Sequence, residues 1–262
     1  MMRFPTLFVS HGAPDMVLRA NAARDFLAGY GERLGKPKTI LAVSAHFASD
    51  RPTIAADSAP SMIYDFYGFP DELYEIDYPA PGDPVTAIKI TALLQSAGYA
   101  AEMIHGRGYD HGVWTPLMLM YPEADVPIVQ LSVQPGEGVA HHLAIGRALA
   151  ALPQDGVLIV GSGALTHNLR AYFELSHMPD AETPFWVAAF AEWVAEAAAA
   201  GDAEAISDLY DQAPFARENH PTNEHFLPFL VALGAAGAGA RGNRVHNSFD
   251  HGVLAMDTYA FA

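Results

Sequence analysis

The chain has no cysteine among its 262 residues. That excludes disulfide scaffolds, thiolate zinc sites and cysteine-held iron–sulfur clusters together, so any bound metal must sit on His, Asp or Glu. Positive charge is also scarce. Fourteen Lys and Arg face thirty Asp and Glu, a formal net charge of −16. A surface this acidic repels phosphate backbones and anionic lipid, which argues against nucleic acid and membrane surfaces as partners. No uninterrupted apolar run reaches membrane-spanning length. The opening Met1-Met2-Arg3-Phe4-Pro5 passes straight into a short apolar run with no small-residue cleavage site. No signal peptide is therefore expected, and the expected location is the cytoplasm.

What is present is a large apolar content and many histidines. At 51% hydrophobic, the length suits one large α/β domain over residues 1–262 better than two small ones. Continuous apolar runs at Thr6–Ser10, Thr39–Ser44, Pro127–Val133 and Val157–Val160 predict strands buried on both faces. Asp83-Pro84 predicts the start of a helix ending at Ser96 before Gly98. Thr183-Pro184 predicts another through Ala200, closed by Gly201. Further helices are predicted at Val139–Ala151, Ala203–Tyr210 and Glu224–Leu233, and a half-buried strand at Val253–Phe261. The alternation implies a central sheet, mostly parallel or mixed, flanked by helices. Ala235–Gly242 reads as a flexible low-complexity loop, and Ser49–Tyr78 as a long loop over a site.

Twelve histidines are many for a chain with fourteen Lys and Arg. Two of them follow matching sequences: Phe8-Val9-Ser10-His11 and Ala42-Val43-Ser44-Ala45-His46 each run from apolar strand through Ser to His. Ligands bind beyond the carboxyl ends of strands in such sheets, so this pair predicts a metal site at neighbouring strand ends. A third strand leads through Gly161-Ser162-Gly163 to His167 at the same edge. Asp110-His111-Gly112 places a carboxylate beside a histidine, where it can orient the ring for proton transfer. The same triplet recurs at Asp250-His251-Gly252, which points to ordinary turn chemistry for at least one copy. In His220-Pro221-Thr222-Asn223-Glu224-His225, three residues (His220, Glu224 and His225) offer a further ligand. His141-His142 is read as solvated on the polar side of a helix, and His105, His177 and His246 as loop residues. There is no GxGxxG after a strand, no P-loop, no HExxH and no GxSxG elbow.

Five segments, taken in order, resemble the class III extradiol ring-cleavage dioxygenases, and within them the DOPA 4,5-dioxygenase-like subgroup. They are Pro5–Pro14 (PTLFVSHGAP), Val43–Phe47 (VSAHF), Tyr109–Leu117 (YDHGVWTPL), Gly161–Leu169 (GSGALTHNL) and His220–Pro228 (HPTNEHFLP). The ending Gly252–Phe261 is similar too, so the resemblance covers nearly the whole chain. It implies a non-haem Fe(II) enzyme that inserts both atoms of O2 into a catechol beside its hydroxyls. His11 and His46 match family metal ligands, and His225 matches the third, with His220 and Glu224 as its substitutes. His167 matches the acid/base histidine, and His111 with Asp110 a second proton-handling position. The resemblance also implies zinc as a metal often found bound at such sites, and a homo-oligomer as a frequent assembly.

Three protein ligands on one face leave open positions for a catechol and O2. A substrate that must lose a proton to chelate requires a neutral base nearby. An all-nitrogen set lacks a carboxylate's charge and should lean on the catecholate for balance. The rival chemistry on the same histidines is zinc hydrolysis through an activated water. A non-catalytic structural metal site is the remaining alternative.

Overall fold

The structure is a computed structural model that describes residues 3–178 and 180–262, so Met1 and Met2 of the opening stretch lie outside the described residues. Its strands are β1 (Thr6–Ser10), β2 (Thr39–Ala48), β3 (Thr53–Ala55), β4 (Glu102–Ile104), β5 (Ile128–Val133), β6 (Val157–Gly163), β7 (Gly242–His246), β8 (Phe249–Asp250), β9 (Leu254–Ala255) and β10 (Thr258–Phe261). Eight form one mixed sheet in the order β4-β3-β5-β2-β6-β1-β10-β7, while β8 and β9 pair as a small ribbon. The centre, β5-β2-β6-β1, is parallel. Antiparallel β10 and β7 finish one side. This is the α/β architecture with a mixed central sheet that the strand and helix pattern implies.

Burial explains why the central strands read as unbroken apolar runs. Leu7, Val9, Ile40, Ala42, Leu158 and Val160 face one core, with Trp114, Leu117 and Leu27. Their alternates Leu41, Val43, Val157 and Ile159 face the other, against Ile145, Leu227 and Val231. Period-two alternation is invisible in the sequence because both faces are covered. The covering helices are α1 (Ala22–Leu34), α2 (Pro84–Ser96), α3 (His111–Met120), α4 (Gly138–Ala148), α5 (Leu169–Leu175), α6 (Phe185–Ala200), the short α7 (Ala203–Ser207), α8 (Leu209–Gln212) and α9 (Ala216–Asn219), and α10 (Leu227–Ala236). The predicted α2 is capped as expected, with the Asp83 carboxylate accepting from Thr86 N–H at 3.0 Å. At α6 the positive φ of Gly201 closes the helix, as predicted.

Other predictions shift. The helix expected to begin at Glu224 begins at Leu227, which leaves His225 in the turn before it. The loop expected from Ala235 begins later, because Ala235 and Ala236 are buried residues of α10. The strand expected at Val253–Phe261 is broken between β9 and β10. His142 is fully buried rather than solvated. Its Nε2 accepts from Gln134 N–H at 2.9 Å and its Nδ1 donates to the Gly138 carbonyl at 2.7 Å, so it ties α4 to the end of β5. His246 lies in β7 rather than in a loop.

Helices α4 and α10 cross on two glycines. A Cβ on Gly146 would stand 2.3 Å from the Val231 carbonyl oxygen, and one on Gly234 would stand 2.2 Å from that of Leu143. Overpacking a contact between two backbones forces them apart. Gly234→Ala is therefore expected to lower the unfolding free energy by about 1–3 kcal/mol in urea titration. Gly29→Ala, where a Cβ inside α1 meets open space, is expected to raise it by about 0.5–1 kcal/mol.

Candidate metal centre

The centre lies beyond the carboxyl ends of β1, β2 and β6. His11 follows β1 directly. His46 lies inside β2, where the pairing with β5 slips between Val43 and Ala48, so an irregular stretch carries the ring. β1 and β2 are not neighbours, because β6 runs between them. Its last residues, Gly161-Ser162-Gly163, place no large side chain in the gap, and the Nε2 atoms of His11 and His46 approach to 3.2 Å across it. The same glycines admit the second face. A Cβ on Gly163 would stand 2.0 Å from the His225 carbonyl, and one on Gly161 would stand 2.2 Å from that of Pro228. His225 therefore reaches the centre from α10's leading turn, with ring centroids 5.5 Å from His11 and 5.0 Å from His46.

Hydrogen bonding fixes the tautomer of His11, and the charge of Asp65 favours that of His46. Pro116 inside α3 has no N–H to give the Gly112 carbonyl. Ser162 Oγ donates to that carbonyl instead, and its only hydrogen is then spent. It must accept from His11 Nδ1–H at 3.0 Å, which leaves His11 Nε2 as a bare lone pair. His46 Nδ1 lies 3.4 Å from an oxygen of Asp65, whose charge favours a proton at Nδ1 and a bare Nε2. With that tautomer two lone pairs face one another at 3.2 Å, an arrangement that calls for a cation between them. The donor set fits a divalent first-row metal on imidazoles.

The other histidines gather round this point. His111, the first residue of α3, lies 4.0 Å from His46 between ring centroids. His11, His46 and His111 offer ring nitrogens within 4.8 Å of one another, and His167, Glu224 and His225 form a second such group. His167 stacks on His225 at 3.4 Å and 13°. The Glu224 carboxylate accepts from His225 Nδ1–H at 2.9 Å. His220 turns away, donating Nε2–H to the Leu165 carbonyl at 2.7 Å between Phe190 and Phe226.

Asp110 is placed differently from its sequence reading. Its oxygens take the Ser44 hydroxyl at 2.6 Å and Arg107 at 2.7 Å, which fixes the strand beneath His46. The carboxylate against the His111 ring is that of Asp65, at 2.9 Å from Nδ1. Sequence reasoning did not single out Asp65, Ser162 or Arg107. Ser162 was legible in principle, as the polar residue between two glycines facing a proline-bearing helix. Asp65 lies in the aperiodic stretch after β3, a strand that interrupts the loop expected at Ser49–Tyr78, and carries no local signal. The second Asp-His-Gly, at 250–252, is a turn with positive φ at His251 and Gly252.

Residues 6–261 match the family described as the catalytic LigB subunit of aromatic ring-opening dioxygenase. The chain belongs to the class III extradiol dioxygenases. Among curated relatives in the family, one from Beta vulgaris named 4,5-DOPA dioxygenase extradiol is 42% identical over 260 residues, 98% of this chain and 96% of the relative. One of the same name from Escherichia coli K12 is 38% identical, over 89% of this chain and 85% of its own length. The fold of this extradiol dioxygenase also superposes on a crystal structure of the Escherichia coli K12 protein JW3007, with a TM-score of 0.83 and 31% identity over 99% and 100% of the two chains. Among the described residues, no helix is long and apolar enough to cross a membrane.

Burial keeps these rings neutral. His11 and His225 are held well below the ordinary histidine range by desolvation and by the neighbouring histidines. Burial lowers His46 to about 3 and His167, His220 and His142 to about 4. The folded-state values lie below the unfolded value near 6.5. The stability tied to neutral rings is therefore full above pH 6.5 and is lost as pH falls toward 4. The metal-free protein is expected to lose of order several kcal/mol over that window. Urea midpoints at pH 7.5, 6.0 and 5.0 check this, and a flat series would contradict it.

Proposed function

We propose that the protein is a non-haem Fe(II) extradiol dioxygenase that opens the ring of a catechol, DOPA or a related aromatic diol, with residues 1–262 acting as one catalytic domain. The observation that carries the reading is the pair of bare Nε2 atoms on His11 and His46, with the braced His225 beside them. His11, His46 and His225 would hold the metal. Fe(II) bound there supplies the redox chemistry by which both atoms of O2 enter the ring-opened product. Imidazole donors bind zinc more tightly than Fe(II), so zinc is the expected competitor for the site. Iron is preferred because relatives about 40% identical are named as extradiol dioxygenases. No comparable support attends the zinc hydrolase reading.

The remaining residues handle protons and the ring. His167 is neutral near pH 7 and lies against His225, which suits it to take a catechol hydroxyl proton. His111 presents Nε2 as an acceptor because its Nδ1–H is committed to Asp65. It serves as the second proton handler, taking up the second catechol hydroxyl proton at Nε2 and returning it to the product oxygen. Asp110 acts at one remove, holding Ser44 and Arg107 and through them the backbone of His46. Phe66 stands beside His111, backed by the buried Trp114, and offers an apolar surface for the aromatic ring.

Protein loaded anaerobically with Fe(II) is expected to consume O2 with a catechol and form a yellow ring-opened product. His225→Ala should lose most metal, by elemental analysis. His167→Ala should keep its metal while kcat falls about 10²–10⁴-fold. Iron-loaded protein that takes up no O2 across catechols of varied side chain would refute the function.

A further inference from the structure

We propose that Asp65 is a positioning residue that fixes the tautomers of His46 and His111 and locks a metal ligand and a proton handler into one unit. One oxygen of its carboxylate accepts from the ring Nδ1–H of His111 at 2.9 Å and from the backbone N–H of His111 at 3.0 Å. The other lies 3.4 Å from His46 Nδ1. A single anion thereby holds the His111 Nδ1–H by a hydrogen bond and favours the same orientation and tautomer at His46 through its charge. It also caps α3, whose own N-cap residue Asp110 makes no capping bond.

The segment that delivers Asp65 is held on both sides. Ile63 N–H donates to the Tyr109 carbonyl at 2.8 Å, and Tyr109 N–H donates to the Ser61 carbonyl at 2.7 Å. Trp114 Nε1–H donates to the Ile63 carbonyl at 3.3 Å, and Tyr64 OH donates to that of Ile76 at 2.6 Å. A carboxylate held this firmly has the geometry by which an outer partner orients a ligating histidine and raises its basicity. Glu224 repeats the device on the opposite side, bonded to His225 and 3.9 Å from His167. Each carboxylate thus spans one proposed ligand and one proposed proton handler.

Asp65→Asn tests this. The amide retains an oxygen for helix capping but removes the charge, and it turns an NH2 group toward His46 Nδ1 or toward one of the two N–H groups the carboxylate now accepts. The dissociation constant for Co(II), from titration of its visible spectrum, is expected to rise about tenfold or more. The kcat should fall about as far, with KM changed less than about threefold. Asp65→Glu should recover part of the affinity, and the metal-free urea midpoint of Asp65→Asn should stay close to that of the wild type. If Asp65 is only a helix cap, Asp65→Asn binds Co(II) and turns over like the wild type, and the proposal fails. A second measurement needs no variant: 15N NMR of the zinc-loaded wild type should show His46 and His111 both protonated at Nδ1. Protonation of either at Nε2 overturns the proposal, even if the Asn variant fails to fold. The kinetic arm rests on the ring-cleavage reading, whereas the Co(II) and NMR arms do not. Metal-loaded wild type without turnover therefore refutes that reading and leaves Asp65 to be judged on the other two.

Discussion

Two nitrogen lone pairs held 3.2 Å apart in a buried site are the constraint on which the rest of this structure turns. Left to itself, such a pair would relax by a tautomer change or by rotation, because facing acceptors repel. Here His11 is denied that escape by the bond at its far nitrogen, and His46 is biased against it by the charge beside its own. His11 is held by a serine whose proton is already committed, and His46 by an aspartate that cannot donate when ionised. The arrangement is built to be completed by a cation. The supporting features, including a proline in a helix, a serine between glycines and an aspartate from a distant loop, make sense as parts of that one device.

The sheet topology explains why the glycines sit where they do. Strand β6 lies between the two strands that carry His11 and His46, so it must be thin at its carboxyl end. It must also admit the backbone before α10 to within contact distance, or His225 could not reach the centre. One Gly-Ser-Gly segment meets both demands, and its central serine faces the opposite side to set the His11 tautomer. A substitution there would act on packing and on the metal site together, because the same three residues serve both.

How much of this the sequence discloses depends on how local each cause is. The central strands are legible because burial on both faces makes them uniformly apolar, and α2 is legible because Asp83-Pro84 is a self-contained start signal. Helix α3 is not, because Gly112 and Pro116 oppose helix and tertiary contacts, foremost with α1 and β2, fix it. The histidines of the centre stand out by residue type and strand-end position, and all five are gathered there. Their partners do not stand out. Asp110 is adjacent to His111 in sequence, yet its carboxylate turns toward Ser44 and Arg107. Asp65, 46 positions away, takes the role that adjacency suggested for Asp110. His142 is hidden for the same reason, since nothing in its helix announces that both ring nitrogens are satisfied by β5 and α4.

The two carboxylates also alter the charge argument for an all-imidazole site. Three neutral ligands give a divalent cation no compensation, which suggests that the substrate's own negative charge must hold the complex together. In this structure Asp65 and Glu224 lie one hydrogen bond outside the rings, on opposite flanks. Coulomb energy falls only as the inverse of distance, and the partly buried setting screens it weakly. A pair of anions at that remove therefore offsets much of a divalent charge while leaving every inner position not taken by histidine open. A directly bound carboxylate would supply the same charge but would occupy the inner shell and compete for the protons that the reaction must move. In the proposed reaction, moving the charge outward would keep the inner shell neutral, so that a catecholate could enter it without meeting a like-charged ligand.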